Sequence, residues 1–247
     1  MDIRQYLDST YLKTAYQANL TEEENTQVVK NTIQEAIEED FKLVMIRPEH
    51  VKMARKMIDE TNSRVVVGTV IDFPFGSSSI ENKINEAEIA IKDGADELDF
   101  VVNYEAFKKG DVHLIKEEVL SATRLGLLNH KIVKFIIEVA ALSDDQIIQI
   151  SSLIKNTVVE NFGKSDYPKI FVKSSTGFYK TPEGMPNGAT IPTITLMIEN
   201  SHPLPVKAAG GVRTLEEALE MIRLGVKRIG TSAAKTIADG KTSEGGY

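Results

Sequence analysis

Short apolar runs of strand length alternate along this chain with longer segments in which apolar residues recur every three or four positions. That alternation predicts repeated strand–helix units around a parallel sheet. Strands are expected near 6–9, 42–46, 64–71, 97–102, 134–139, 169–173, 206–208 and 228–231. Eight strands in 247 residues suit an α/β fold of one kind, a (β/α)8 TIM barrel, formed as a single domain over 1–247. Helix starts are marked by capping boxes at Thr21/Glu24, Ser78/Glu81, Ser143/Gln146 and Thr214/Glu217, and Gly94 and Gly225 read as helix stops. In the first long helix Val29, Ile33, Ala36 and Ile37 share one face, the stripe of a helix lying on a barrel. The one long irregular connection, 179–188, holds Pro182, Gly184, Pro186 and Gly188. It follows the sixth strand, so it should lie at the mouth of any site built there.

Composition narrows the function classes. With 29 Lys+Arg against 36 Asp+Glu the net charge is -7, and no basic run is interleaved with aromatics, which argues against nucleic acid and anionic membrane as partners. The longest apolar stretches are strand-sized, and the first residues lack a cationic segment followed by an apolar one, so a cytoplasmic enzyme is expected. The chain has no cysteine, which removes disulfides, thiolate nucleophiles and Cys-based metal sites. His50, His113, His130 and His202 are scattered without a helical i, i+4 pair, so neither a metal nor another cofactor is expected.

The candidate chemistry lies in two lysines that end apolar runs. Lys173 closes Ile170-Phe-Val-Lys before Ser-Ser-Thr-Gly177, and Lys207 sits in Val206-Lys-Ala-Ala before Gly210-Gly211. Either lysine alone would read as a solvated strand end, because an ammonium is strongly hydrated. Alternation along Glu97-Leu-Asp-Phe-Val places Asp99 opposite Leu98 and Phe100, as a carboxylate facing inward or as a strand-end cap. If the sixth and seventh strands are neighbours, the two amines can approach within about 6 Å, and at an effective dielectric near 20 a second ammonium there costs roughly 2.8 kcal/mol, about two pK units. That would bring one amine into use as a nucleophile toward a carbonyl near neutral pH. Asp99 would oppose the shift if equally near both, so it is expected closer to Lys207, leaving Lys173 as the nucleophile. Gly210-Gly211 after the seventh strand and Gly230-Thr231-Ser232 after the eighth occupy the places where barrels bind phosphate through backbone N–H groups.

At these residues the chain resembles the deoxyribose-phosphate aldolases, class I aldolases. The resemblance runs nearly end to end, through Leu7-Asp-Ser-Thr-Tyr-Leu-Lys13, Phe73-Pro-Phe-Gly76, Gly94-Ala-Asp-Glu-Leu-Asp99, Lys134-Phe-Ile-Ile-Glu138, Phe171-Val-Lys-Ser-Ser-Thr-Gly-Phe178 and Val206-Lys-Ala-Ala-Gly-Gly-Val-Arg-Thr214. It implies reversible cleavage of 2-deoxyribose 5-phosphate to acetaldehyde and glyceraldehyde 3-phosphate, with Lys173 forming the Schiff base, Lys207 perturbing it and Asp99 relaying protons. It further implies that Asp8 contacts the substrate hydroxyl region, that Thr176 and Gly177 bind substrate, and that Gly210, Gly211, Gly230, Thr231 and Ser232 hold the phosphate. Small phosphosugars and aldehydes are then the partners, with a homodimer as a possible assembly. Some members use a mobile C-terminal tyrosine in proton transfer, and this chain ends in Tyr247, which otherwise reads as a plain chain end. The chain departs from the family at Met45, where cysteine is common, at Arg47, where asparagine is common, at Asp72, where the family has glycine, and in its longer loop after Phe178. Two other readings stay open: a Schiff-base barrel aldolase for a different phosphosugar, and a non-catalytic phosphosugar-binding barrel.

Overall fold

Eight buried strands and the helices between them form one closed barrel in a computed structural model that describes residues 2–240. The strands are β1 (Leu7–Thr10), β2 (Leu43–Ile46), β3 (Val66–Ile71), β4 (Glu97–Val101), β5 (Ile132–Ile136), β6 (Ile170–Lys173), β7 (Val206–Ala209) and β8 (Arg228–Thr231). All pair in parallel in chain order, and β8 returns to β1, so no edge is left open. The helices are α1 (Ala15–Ala18), α2 (Glu22–Glu38), α3 (Val51–Glu60), α4 (Ile80–Asp93), α5 (Tyr104–Lys108), α6 (Val112–Leu128), α7 (Asp144–Asn161), α8 (Ile191–Ser201), α9 (Leu215–Leu224) and α10 (Ala234–Ala238).

The main core lies between the outward face of the barrel and the helices. Val29, Ile33 and Ala36 of α2 are buried there, as their spacing predicts, beside Val44 and Ile46 of β2. The capping boxes at Thr21, Ser143 and Thr214 form, and Gly94 and Gly225 end their helices in left-handed conformation. At α4 the cap is Ser79, one residue later than the expected Ser78, and it accepts the Asn82 N–H. The reason is local: the Ser78 hydroxyl is taken by Asp72, to which it donates at 2.7 Å.

Inside the barrel the wall is divided. Leu43, Met45 and Val70 pack with Leu12 into a small apolar cluster against β2 and β3. Strands β4 to β8 and β1 instead each contribute a charged side chain to the interior, Glu97 and Asp99, Lys134, Lys173, Lys207, Arg228 and Asp8, and all of these are buried. Buried charge in such density needs pairing. Strand β5 ends at Ile136, earlier than expected, because the chain leaves the sheet at Glu138, whose backbone is left-handed (φ 57).

Candidate active site

Lys173 and Lys207 are register partners on β6 and β7, so the strand spacing brings both amines to the same level of the barrel. Asp99 of β4 lies across from them. Its Oδ2 is 2.9 Å from Lys173 Nζ and 3.0 Å from Lys207 Nζ, while Oδ1 is 2.6 Å from Lys134 Nζ. From Lys134 the contacts continue to Glu97 (2.5 Å), from Glu97 to Arg228 (2.9 Å), from Arg228 to Asp8 (2.6 Å) and from Asp8 to Lys207 (2.6 Å). Six side chains thus close a ring of alternating charge, and Lys173 branches from it at Asp99.

A charge count singles out Lys173. Four cations (Lys134, Lys173, Lys207, Arg228) meet three carboxylates (Asp8, Glu97, Asp99), which leaves one buried positive charge in excess. Among the described residues, Lys134, Lys207 and Arg228 each touch two carboxylates, whereas Lys173 touches only Asp99. Neutralising Lys173 therefore removes the excess with least loss of pairing. Burial is the largest influence on its amine, the ammonium groups of Lys207 and Lys134 act in the same direction, Asp99 opposes them, and the result is a pKa of about 8. At pH 7 about one molecule in ten then carries the free amine, against about one in several thousand for an exposed lysine.

The cause differs from the expected one. Asp99 does not favour Lys207, since one of its oxygens is shared almost equally between the two amines. What distinguishes Lys207 is Asp8, a second carboxylate that Lys173 lacks. Burial would raise the Asp99 carboxyl, but the ammonium groups of Lys134, Lys173 and Lys207 outweigh it and hold it well below the usual carboxylate range. Asp8 is governed in the same way by Arg228 and Lys207. Expected at the substrate hydroxyl, Asp8 is fully buried, and both of its oxygens face ring cations. Its geometry makes it the anchor of the Lys207 charge.

Above the ring, at the C-terminal ends of the strands, a cleft opens to solvent, where barrels of this kind place their sites. Of the four buried cations, Lys173 is the one that lines it. Three segments complete its wall: Ser175, Thr176 and Gly177 after β6, Gly210 to Arg213 after β7, and Gly230 to Ser232 where β8 ends. The residues expected to hold phosphate are thus gathered at one end. Gly210 and Gly211 are both left-handed (φ 81 and 93), a path that lets the turn present its N–H groups to the cleft. Gly230 has a further use, because a Cβ there would stand 3.0 Å from Lys207 Cε, so the missing side chain makes room for the lysine. The Thr231 hydroxyl is committed within the fold, donating to the Val212 carbonyl and accepting the Ala233 N–H. Thr176 is likewise engaged, its N–H and hydroxyl both donating to Glu138. Ser232 remains exposed at the rim. Tyr247 lies outside the described residues.

Next to Gly177 the lining residue Phe178 meets Phe73 edge to face at 5.0 Å, and Arg47 lies over the Phe73 ring at 5.4 Å. Arg47 also donates to the Leu12 carbonyl at 2.7 Å. Asp72 holds Ser78 and lies 3.5 Å from the buried Lys83, which is bonded to Glu118 at 2.5 Å. Met45, Arg47 and Asp72 thus lie behind the residues that line the cleft, Arg47 reaching the lining Phe178 through Phe73, and the lysine ring is untouched.

Residues 6–237 match the family model described as DeoC/LacD family aldolase. The chain belongs to the DeoC/LacD aldolase family. A protein of Thermococcus kodakarensis named deoxyribose-phosphate aldolase is 37% identical over 244 residues, covering 98% of each chain. One of the same name from Streptococcus equi subsp. zooepidemicus is 36% identical over 248 residues and covers the full length of both. Among solved structures, an aldolase designated QR15 superposes with a TM-score of 0.78 at 31% identity over 97% of this chain and 95% of its own. A tetrameric deoxyribose phosphate aldolase from Aeropyrum pernix gives 0.76 at 26% identity over 96% and 89%. For a DeoC/LacD aldolase, the members of the site that sequence reasoning did not assign are Lys134, Glu97, Arg228 and Glu138. Glu97 had a readable signal, since the alternation that turns Asp99 inward turns Glu97 inward as well.

Proposed function

We propose that this chain is a deoxyribose-phosphate aldolase, cleaving 2-deoxy-D-ribose 5-phosphate reversibly to acetaldehyde and D-glyceraldehyde 3-phosphate in the cytoplasm through a Schiff base on Lys173. The observation that carries the reading is that Lys173, the cation of this cluster with a single carboxylate partner, is also the one that opens onto the cleft. Its neutral amine adds to the C1 carbonyl of the open-chain sugar, and loss of water gives the iminium. The iminium draws in the electrons of the C2–C3 bond as that bond breaks, while the C3 hydroxyl loses its proton and departs as the aldehyde of glyceraldehyde 3-phosphate. Protonation of the remaining enamine at C2 and hydrolysis release acetaldehyde and restore the amine.

Asp99 is too strongly held as a carboxylate to store a proton. In this reading it is the shared oxygen through which protons pass between Lys173 and Lys207, and it fixes the direction of the Lys173 nitrogen. The turns carrying Gly210, Gly211, Gly230 and Ser232, with Gly177, take the phosphate and set the distance from it to C1. Self-association belongs to the same reading, with a homodimer as the smallest assembly. Release of acetaldehyde from 2-deoxyribose 5-phosphate, followed by coupled reduction with NADH, tests the proposal. Saturable release from this substrate is expected. Cleavage of a ketose bisphosphate with no cleavage of the deoxy sugar would assign the site to another phosphosugar.

A further inference from the structure

Glu138 plays no part in the chemistry above, yet it is buried, backbone-strained and two residues beyond the end of β5. Its hydrogen-bond partners among the described residues are Ser175 and Thr176, neither of them a cation. Oε1 lies 2.8 Å from Ser175 Oγ, and Oε2 takes the Thr176 N–H at 3.2 Å together with the Thr176 hydroxyl.

The hydrogens around Ser175 do not add up if Glu138 is a carboxylate. Ser175 Oγ accepts the Gly177 N–H at 2.8 Å and lies 2.8 Å from Glu138 Oε1 and 2.7 Å from the Asn187 carbonyl oxygen. A carboxylate and a carbonyl can only accept, and the serine has one hydrogen to give. Both distances are those of a full O–H···O bond, whereas a shared hydrogen would lengthen them. One added proton resolves the count: Glu138 donates to Ser175, Ser175 donates to Asn187, and the two serine lone pairs take Glu138 and Gly177. The Thr176 hydroxyl then donates to Oε2 and accepts the Phe178 N–H at 3.0 Å.

We propose that Glu138 is a positioning residue that works as a neutral carboxylic acid, donating through Ser175 to latch the end of the long 179–188 loop onto the turn that follows Lys173. The loop end is shaped for that docking. Asn187 Nδ2 donates to the Gly177 carbonyl, the Ala189 N–H reaches the Gly210 carbonyl at 2.7 Å, and a Cβ on Gly188 would stand 2.5 Å from that same oxygen. The latch therefore connects the turns after β6 and β7, both of which line the cleft. Burial is the largest influence raising the Glu138 pKa; its bonds to Thr176 and Ser175, and the Lys173 ammonium from β6, oppose it. From α5 Tyr104 faces it, a phenol pushed up to about 12 by burial first and Glu138 next, and Tyr179 of the loop meets Tyr104 edge to face. With its folded pKa above the unfolded one, the acid supports the latch at low pH and releases it as pH rises through the folded pKa.

The direct test is a 13C NMR titration of protein labelled at the glutamate carboxyl carbon, with Glu138→Gln locating the resonance. A protonated Glu138 at pH 7 is expected; a carboxylate shift at pH 7 overturns the proposal. Tryptic cleavage after the exposed Lys180 gives a second readout. Glutamine can donate to Ser175 and accept from Thr176 as the neutral acid does, so Glu138→Gln should be cut at about the wild-type rate and Glu138→Ala about tenfold faster. Cleavage of Glu138→Gln as fast as Glu138→Ala would show that the charge, not the proton, holds the loop. The catalytic readout rests on the proposed function: KM for 2-deoxyribose 5-phosphate should rise in Glu138→Ala and be restored by glutamine, with the wild-type KM rising at alkaline pH and the glutamine variant's not. If wild type does not turn over that sugar, the proposed function fails, while titration and cleavage still decide the latch.

Discussion

Lys173 and Lys207 face each other across β6 and β7 and share one oxygen of Asp99, at 2.9 and 3.0 Å. Their nitrogens can be no farther apart than about 5.9 Å, the two contacts laid end to end. Two ammonium groups at that range repel appreciably even in a polar interior. Asp99 reduces the repulsion without removing it, because it must also serve Lys134.

Lys207→Leu should therefore move the pH dependence of Lys173. Losing a neighbouring ammonium favours the charged form of the remaining amine, so its pKa rises from about 8 toward that of an ordinary lysine. We expect the midpoint for imine formation with acetaldehyde to move upward by on the order of one to two units, with the rate at neutral pH falling about tenfold or more. A rate–pH profile of the variant checks this. An unmoved midpoint would mean that the Lys207 ammonium does not help set the Lys173 pKa.

Glu97 has no contact with the cleft in this account, yet its charge holds the floor of the ring. Glu97→Gln leaves Lys134 and Arg228 each with one carboxylate and raises the excess buried charge from one to two. We expect a loss of about 3 kcal/mol at neutral pH, read as a fall in Tm of roughly 6–12 °C. The Glu97 carboxyl, which burial would raise, is held below its usual range by Lys134 and Arg228. Its stabilisation is thus present above the unfolded pKa and lost as pH falls through the folded one, so the two proteins should converge in strong acid. A constant difference in Tm at all pH values would contradict the ring.

The barrel and the pairing of Lys173 with Lys207 were legible because each rests on a local signal. Eight apolar runs gave the strand number, and Lys173 and Lys207 stood out as amines ending such runs. The ring was harder to read. Lys134 and Arg228 look like charged strand starts, and the contact between Arg228 and Asp8 joins residues 220 positions apart that meet only because β8 closes onto β1. The even sharing of Asp99 was likewise invisible, since it depends on how three strands place their side chains at one level. Glu138 was hidden by a boundary: read as part of a strand running to 139, it gives no hint of its left-handed turn.

Ser232 separates phosphate recognition from imine chemistry. It is exposed at the rim of the cleft beside Gly230 and Thr231. Ser232→Glu places a carboxylate where the phosphate is proposed to sit, and KM for 2-deoxyribose 5-phosphate should rise at least about tenfold. Imine formation from acetaldehyde, which carries no phosphate, should stay near the wild-type rate. Parallel loss of both in a folded variant would place Ser232 in the support of the barrel, and an unchanged KM would move the phosphate elsewhere.

The identity of the nucleophile is tested most directly by reducing the protein with borohydride in the presence of acetaldehyde and mapping the modified peptide by mass spectrometry. A single ethyl adduct on Lys173 is predicted, absent in Lys173→Ala, with its yield at fixed exposure time rising as pH passes through about 8. An adduct on Lys207 or Lys134 with Lys173 unmodified would contradict the account, because it would place the free amine inside the ring and leave the charge excess on the lysine that faces the cleft.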